Sequence, residues 1–378
     1  MSSEAAAVDR RVPFAALDAD YRARRDVIDA AVARVLASGW FILGEEVAAF
    51  ESAFAEFLGV AHVVACANGT EAIALALLAA GAQPGDVVLL PANACVPVIA
   101  GIRLAGAQPR LCDVDPETLT LDAARAERAG TAGARFLLPV HLYGGVADVA
   151  SLAALAAREG LTLLEDCAQS HGATYQGRAT GGFGRAAAFS FYPTKNLGAY
   201  GDGGAVATGD PEVAQRLRRL RQYGWSRRDH AEEEGRNSRL DEMQAAILRA
   251  KLPFLAAENA RRRELGTLYD AAFADLPLRL LRVRDGAVPV HHLYAVRTER
   301  RDALRAHLAA RGVETAIHYP TPLHLQPAYA FLGGRVGDFP VSEEACATVL
   351  SLPMHPFLSD AQTETVIGAV REFFGARP

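Results

Sequence analysis

From residue 63 onward the chain repeats one unit: a short apolar run, a turn signal, then a helix-like stretch. Residues 63–67 are apolar, Asn68-Gly69-Thr70 follows, and a helical pattern runs to Ala80. Further apolar runs occupy 86–90, 109–114, 135–140 and 161–164. The last two flank a helical segment, 149–159, with Gly160 placed as a C-cap. Strands this short and this apolar hide their surface only in a mostly parallel sheet with helices on its faces. The pattern therefore predicts an α/β fold. Two helical segments, 20–36 and 45–58, precede the repeat. After 187–208, where Gly-rich turns flank short strands, helices are expected at 211–223 and 240–250. Beyond Pro253 come an Arg-rich helix to about 274, a strand-like segment 288–297, a helix 301–311, a Pro-rich loop 319–327 and two closing helices. This reads as a large α/β domain over 1–250 and a smaller α+β C-terminal domain over 251–378.

A length of 378 residues suits two packed domains. With 51% hydrophobic residues, the chain can bury a sizeable core. Its net charge of −5 and the lack of a strongly basic stretch argue against a nucleic-acid partner. Five cysteines, an odd number with no CxxC spacing, argue against a disulfide framework or a zinc site, and no metal is expected. The first eleven residues are polar and charged, without the apolar core of a signal peptide. No apolar run spans a bilayer uninterrupted. A cytoplasmic location away from membranes is the expectation.

Lysine usage narrows the chemistry. Of 39 basic residues only Lys195 and Lys251 are lysine, leaving 37 arginines. A permanently protonated guanidinium cannot condense with a carbonyl, so a chain that otherwise uses Arg keeps Lys by chance or by chemical need. Lys195 sits in Ser190-Phe-Tyr192-Pro-Thr-Lys195-Asn196, a turn after a strand-like run, with a hydroxyl five residues earlier and no adjacent acid. Apolar and aromatic neighbours would lower its pKa by desolvation. An exposed turn lysine is the competing reading.

Two further motifs stand where ligands bind. The apolar run 161–164 ends in Glu165-Asp166, with Gln169 three residues beyond. Ligands of open parallel sheets bind at the carboxyl ends of strands, although an Asp there also serves as a helix N-cap. Gly69-Thr70 opens a helix after a strand and offers backbone N–H groups, a hydroxyl and the positive end of the helix dipole to a phosphate. A plain Asn or Thr cap is the alternative. No GxGxxG or GxxxxGK[ST] occurs, so a dinucleotide or nucleoside triphosphate reading lacks its motif. A lysine, a strand-end carboxylate and a phosphate-binding helix start are the parts that pyridoxal 5′-phosphate (PLP) requires.

In order and content these motifs resemble the DegT/DnrJ/EryC1/StrS family of PLP-dependent sugar aminotransferases, from about Val12 to Phe374. The resemblance is carried by Ser38-Gly-Trp-Phe-Ile-Leu-Gly44, Ala67-Asn-Gly-Thr-Glu-Ala72, Pro139-Val-His-Leu-Tyr-Gly144, Glu165-Asp-Cys-Ala-Gln-Ser-His-Gly172, Phe189-Ser-Phe-Tyr-Pro-Thr-Lys-Asn196, Gly201-Asp-Gly-Gly204, Asn237-Ser-Arg-Leu-Asp241, and the tail from His318-Tyr-Pro320 to His324-Leu-Gln326. It implies a fold-type I transferase in which Lys195 carries the cofactor and Asp166 pairs with the pyridine nitrogen. Gln169 would lie near the ring hydroxyl, and Gly69, Thr70 and Ser190 would hold the phosphate. Asn237 would reach the phosphate of the neighbouring subunit's cofactor, which makes the expected assembly a homodimer with its sites at the interface. Tyr192, His318 and His324 would face substrate; a hydrogen-bonded structural role is the equal alternative for both histidines. Cys95 stands at or near the position where many relatives stack an aromatic ring on the cofactor, and a smaller side chain loses that stacking area.

The resemblance implies transfer of an amino group from an amino acid, glutamate being the expected donor, to a keto-sugar, most simply a nucleotide-linked one, in amino-deoxysugar biosynthesis. A cyclitol ketone is an alternative acceptor, and a non-catalytic regulator on the same scaffold is an alternative of another class. Dehydratases of the family place His where Lys195 stands. The residues do not fix which sugar, which carbon or which stereochemistry.

Overall fold

The structure, a computed structural model, describes residues 11–376. The polar start of the chain therefore lies, apart from Arg11, outside the described residues. Helices α1 (Leu17–Ser38) and α2 (Glu45–Leu58) lead into strand β1 (His62–Cys66) and helix α3 (Gly69–Ala79). Next come β2 (Val87–Pro91), α4 (Val96–Leu104), β3 (Gln108–Cys112), α5 (Ala123–Ala129), β4 (Ala134–Leu137), α6 (Val149–Glu159) and β5 (Thr162–Asp166). A small hairpin, β6 (Thr174–Tyr175) and β7 (Arg178–Ala179), precedes β8 (Ala186–Ser190) and β9 (Gly204–Thr208).

Seven of these strands form one sheet in the order β1-β9-β8-β5-β4-β2-β3. Every pairing in it is parallel except the two made by β9, which is antiparallel to β1 and β8. Alternate residues of the strands feed two cores. Val64, Cys66, Ala186, Ala188 and Val206 pack with α3, α4 and α7 (Pro211–Leu220). Val63, Ala65, Ala187, Phe189 and Ala205 pack with Phe50 and Phe54 of α2 and with α8 (Glu242–Lys251). Both faces are covered, so the strands carry no polar stripe, as a parallel sheet requires.

Helix α3 is apolar on every side: Ala72 through Leu77 are all buried. Its small residues let it lie between the sheet and α4, where a Cβ on Gly101 would come within 2.7 Å of the Thr70 carbonyl oxygen. Glycine at 101 is thus what allows the two helices to touch.

The rest of the chain is built around β12 (Arg279–Leu280), β14 (Tyr294–Arg297) and β15 (Val349–Leu352), an antiparallel sheet packed by α9 (Leu255–Phe273), α10 (Arg301–Ala310) and α12 (Asp360–Phe373). Helix α11 (Pro340–Thr348) precedes β15. Val12 joins this C-terminal core through a parallel bridge to Val313. The N-terminal segment, placed with the large domain on sequence, therefore packs across the division at 250.

One expected element takes another form. The strand-like run 288–297 splits: β13 (Ala287–Val288) pairs with β6, and only Tyr294–Arg297 enters the C-terminal sheet. His291, at φ +40°, turns the backbone between them, and buried His292 is tied to Asn196. The loop before Asn237 contains a hairpin, β10 (Trp225–Arg227) with β11 (His230–Ala231). Among the described residues no helix is long and apolar enough to cross a membrane.

Candidate active site

The carboxyl ends of β5 and β8 and the start of α3 converge on one cavity of about 560 Å³. Asp166 ends β5 and is 2% exposed. No helix follows it, so the capping alternative is not realised. Its Oδ1 accepts the Ala168 N–H at 3.0 Å, and its backbone carbonyl accepts the His141 N–H at 3.0 Å. Among the described residues the other carboxylate oxygen has no hydrogen-bond donor. Burial pushes its carboxyl pKa up; the Ala168 N–H, Lys195 and His141 oppose this without cancelling it. Such a carboxylate is poised for a cationic N–H partner.

Lys195 follows β8 in a turn closed by its own N–H to the Tyr192 carbonyl at 2.8 Å. Its side chain, only partly exposed, lines the same cavity. Burial lowers its pKa below the ordinary 10.5, with Cys95 and Asp166 pulling the other way. The desolvation expected from its apolar neighbours is therefore present, and a bulk-exposed turn lysine is not what the fold builds.

The phosphate-type cradle is assembled from α3 and the end of β8. Asn68 caps α3 through Oδ1 to the Glu71 N–H at 2.9 Å. The first-turn N–H groups of Gly69 and Thr70 have no intrahelical acceptor. Gly69 is pressed against Ser190, and a Cβ at 69 would lie 2.6 Å from the Ser190 Cβ. Gly69, Thr70 and Ser190 all line the cavity. An anion here would meet free N–H groups, two hydroxyls and the helix dipole.

Behind these groups stands a buried strut. Glu165 accepts the N–H groups of Gly181, Phe183 and Gly184 at 2.9, 2.7 and 2.8 Å, and the His141 ring at 3.1 Å. The Ala147 N–H donates to the other nitrogen of that ring, which makes Nε2 the protonated atom. Burial alone would raise the Glu165 pKa; His141 and the Gly181 and Gly184 N–H groups outweigh it and hold it low. His141, Glu165 and Cys167 bring ligand-type atoms within 4.8 Å of one another. The acceptor sites of Glu165 are already filled, so the group anchors Asp166 rather than presenting itself to a metal.

The other residues singled out on sequence fall into distinct places. Gln169 is buried and does not line the cavity: it accepts the Tyr143 N–H at 2.6 Å and donates to the Tyr319 hydroxyl at 3.1 Å. Tyr319 itself lines the cavity. Cys95, the residue before α4, is on the wall as the smaller group expected there, its thiol pushed up to about 11 chiefly by burial. Tyr192 is exposed and lines both this cavity and a second one beyond Lys195. His318 stacks on Phe14, bonds Ser351 at 3.0 Å and lines only the second cavity. His324 lines neither cavity: its side chain is fully buried, bonded to Glu343 at 3.0 Å and packed edge-on to Phe339. Asn237 is exposed and lines neither cavity of its own chain. Tyr319 as a wall residue was not named on sequence; its only signal was membership of the Pro-rich tail.

The sequence profile of the DegT/DnrJ/EryC1/StrS aminotransferase family matches residues 23–371. The chain belongs to the DegT/DnrJ/EryC1/StrS aminotransferase family. One curated member, dTDP-3-amino-3,4,6-trideoxy-alpha-D-glucose transaminase of Streptomyces venezuelae, is 48% identical over 96% of this chain and 96% of its own. Among solved structures, S. venezuelae DesV in complex with a ketimine intermediate superposes with a TM-score of 0.95 at 48% identity, covering 97% of this chain and 100% of that one. NtdA of Bacillus subtilis with bound cofactor PMP has a TM-score of 0.90 at 28% identity, over 97% and 86% of the two chains. Like these DegT/DnrJ/EryC1/StrS relatives, the chain is a fold-type I aminotransferase.

Proposed function

We propose that this aminotransferase uses PLP to move an amino group from an amino acid, glutamate in the simplest case, to a nucleotide-linked keto-sugar in amino-deoxysugar biosynthesis. The observation that carries the reading is the meeting of Lys195 and Asp166 in a cavity whose far wall is Gly69, Thr70 and Ser190. Each demand of the cofactor finds a group with free capacity. The α3 N-terminus and Ser190 have N–H and hydroxyl groups for a phosphate, Asp166 has an unpaired oxygen for a ring N–H, and Lys195 is an amine with a lowered pKa. When bound, PLP supplies an aldehyde carbon to hold the migrating nitrogen and a ring that takes up electrons as the adjacent C–H bond breaks. Lys195, once free, accepts a proton at Nζ and returns it. Asp166 keeps negative charge beside the ring nitrogen. Gln169, clamped between Tyr143 and Tyr319, orients the Tyr319 hydroxyl over the cavity. The 48% identity to dTDP-3-amino-3,4,6-trideoxy-alpha-D-glucose transaminase of S. venezuelae, an enzyme named for a dTDP-linked sugar, supports a nucleotide-linked acceptor.

The test takes the protein converted by glutamate to its amino form and follows its reconversion by dTDP- or UDP-linked 3-keto-sugars and by an inosose. Reconversion by a nucleotide-linked sugar at least ~100-fold faster than by the cyclitol is expected. The reverse order would move the assignment to a cyclitol ketone, and conversion by neither would end it.

The same proposal includes a homodimer in the cytoplasm, with the chain divided at 250/251 between a cofactor-binding part and a smaller C-terminal part. Asn237 is exposed, and Trp40 and Phe41 leave 62% and 49% of their surface uncovered, apolar area that a partner would bury. All five cysteines are free, as suits a reducing compartment. If Asn237 serves the neighbour's phosphate, Lys195→Arg and Asn237→Ala chains fail separately at limiting cofactor. Mixed, they regain about a quarter of wild-type activity, because half the dimers then hold one complete site. A mixture no better than the separate chains would place Asn237 outside the neighbour's site.

A further inference from the structure

A second cavity, about 300 Å³, opens on the other side of Lys195 and shares Lys195 and Tyr192 with the first. Its walls come from the segment before α1, from α9 and from the loop after β15. Arg262 of α9 stands in that wall, 7% exposed. Its Nη1 donates to the carbonyls of Met354 at 2.6 Å and His291 at 3.3 Å. Its Nε is buried without a partner. Among the described residues no carboxylate lies within ion-pair reach of it, and burial draws its pKa down to about 10 with no anion opposing. The two acids of the wall are committed elsewhere: Asp20 to Arg24, to Lys251 at 2.7 Å and to the Tyr200 hydroxyl, and Glu258 to Arg24. Three histidines complete the lining. Burial keeps all three below the ordinary imidazole value, and the cations add to it: Lys195 acts on His292 and His318, and Arg262 on His292 and His355, with only the Pro13 carbonyl and Asp18 opposing at His355. The cavity therefore carries a buried guanidinium with no internal counter-charge, an arrangement that is costly until an anion arrives.

We infer that this second cavity receives a carboxylate of the amino donor, with Arg262 as its charged contact. The inference rests on the aminotransferase reading and names the site for one of its two substrates. Size separates the candidates. At about 300 Å³ against about 560 Å³ for the first cavity, the second is the smaller, which suits the smaller of the two substrates, a dicarboxylic amino acid. Position agrees, since a donor anchored at Arg262 extends toward Lys195, where its amine must react. The guanidinium fork also suits a carboxylate better than an ammonium would.

Glutarate, a dicarboxylate with no amine to react, is titrated by calorimetry into the PLP-loaded protein. Wild type binds it; Arg262→Gln weakens binding at least about tenfold. Arg262→Lys, which keeps a cation and can still reach the two carbonyls, recovers part of it. Ala15→Trp, a substitution at an exposed wall residue, fills the cavity and abolishes binding without touching the α9 contacts. Should Arg262→Gln not fold, Arg262→Lys and Ala15→Trp decide between them. Equal affinity in wild type and the folded variants overturns the inference. So does a wild-type protein that shows its Lys195-linked cofactor absorbance yet binds no glutarate. Absence of that absorbance in wild type would instead overturn the functional proposal itself.

Discussion

Lys195→Arg is expected to lower amino transfer by at least ~10⁴-fold while changing stability by less than ~1 kcal/mol. Arg keeps the length and the cation but cannot give up its proton, so it can neither bond to an aldehyde nor shuttle a proton. The fold should tolerate it, because among the described residues the Lys195 side chain makes no hydrogen bond that the exchange would break. Borohydride reduction of the PLP-loaded wild type should leave one pyridoxyl mass on the peptide containing Lys195, and none anywhere in the variant. The rival acceptor is Lys251, the only other lysine. It is held by Asp20 at 2.7 Å and the Gly198 carbonyl at 2.6 Å, and it lines only the second cavity. A label on Lys251, or an Arg variant within tenfold of wild type, would remove the basis of the assignment.

A pH dependence follows from the same lysine. Its folded pKa lies below 10.5, so in the window between the two values the unfolded chain holds a proton that the folded chain has lost. Stability of the cofactor-free protein should therefore rise with pH across that window, and Lys195→Met should show a shallower slope, keeping the part that comes from Lys251, whose pKa burial lowers to about 7. Capture of PLP needs the neutral amine and should speed up with pH to a plateau whose midpoint lies below 10.5.

How much of this was readable beforehand depended on how local each signal is. The parallel sheet was, because strands buried on both faces cannot alternate with polar residues, and runs such as 161–164 have no other home. Lys195 and Asp166 were, because a lysine in an arginine chain and an acid at a strand end announce themselves without a partner in view. Their meeting in one cavity is a product of strand order, β5 beside β8, which no short segment encodes. His324 shows the same limit from the other side: the motif around it is local, but Glu343 and Phe339, which bury it, come from the chain leading into and beginning α11. Arg262 was invisible among its arginine neighbours at 261 and 263, since only packing separates an orphaned guanidinium from a solvated one. The run 288–297 looked continuous because apolar periodicity does not register a single residue at positive φ.

Asp166→Asn should have opposite effects with and without cofactor. In the cofactor-free protein burial raises the Asp166 pKa above 3.8, which means the ionised carboxylate is worse off folded than unfolded. That penalty is present at pH values above 3.8 and vanishes below it, so near pH 7 the Asn variant, which keeps an acceptor for the Ala168 N–H, should melt at a higher temperature than wild type. The two should converge as the pH falls toward 3.8. With PLP bound the comparison reverses. The carboxylate then has a cationic N–H to neutralise it, and replacing it with a neutral amide should cost amino transfer on the order of 10²–10³-fold, the scale of losing one buried electrostatic contact to developing charge. Thermal melts of the two proteins with and without cofactor, across pH 4 to 8, test both halves. A wild type more stable than the Asn variant in the cofactor-free state at neutral pH would mean that Asp166 is already paired within the chain, and the cavity would lose its claim on a protonated ring nitrogen.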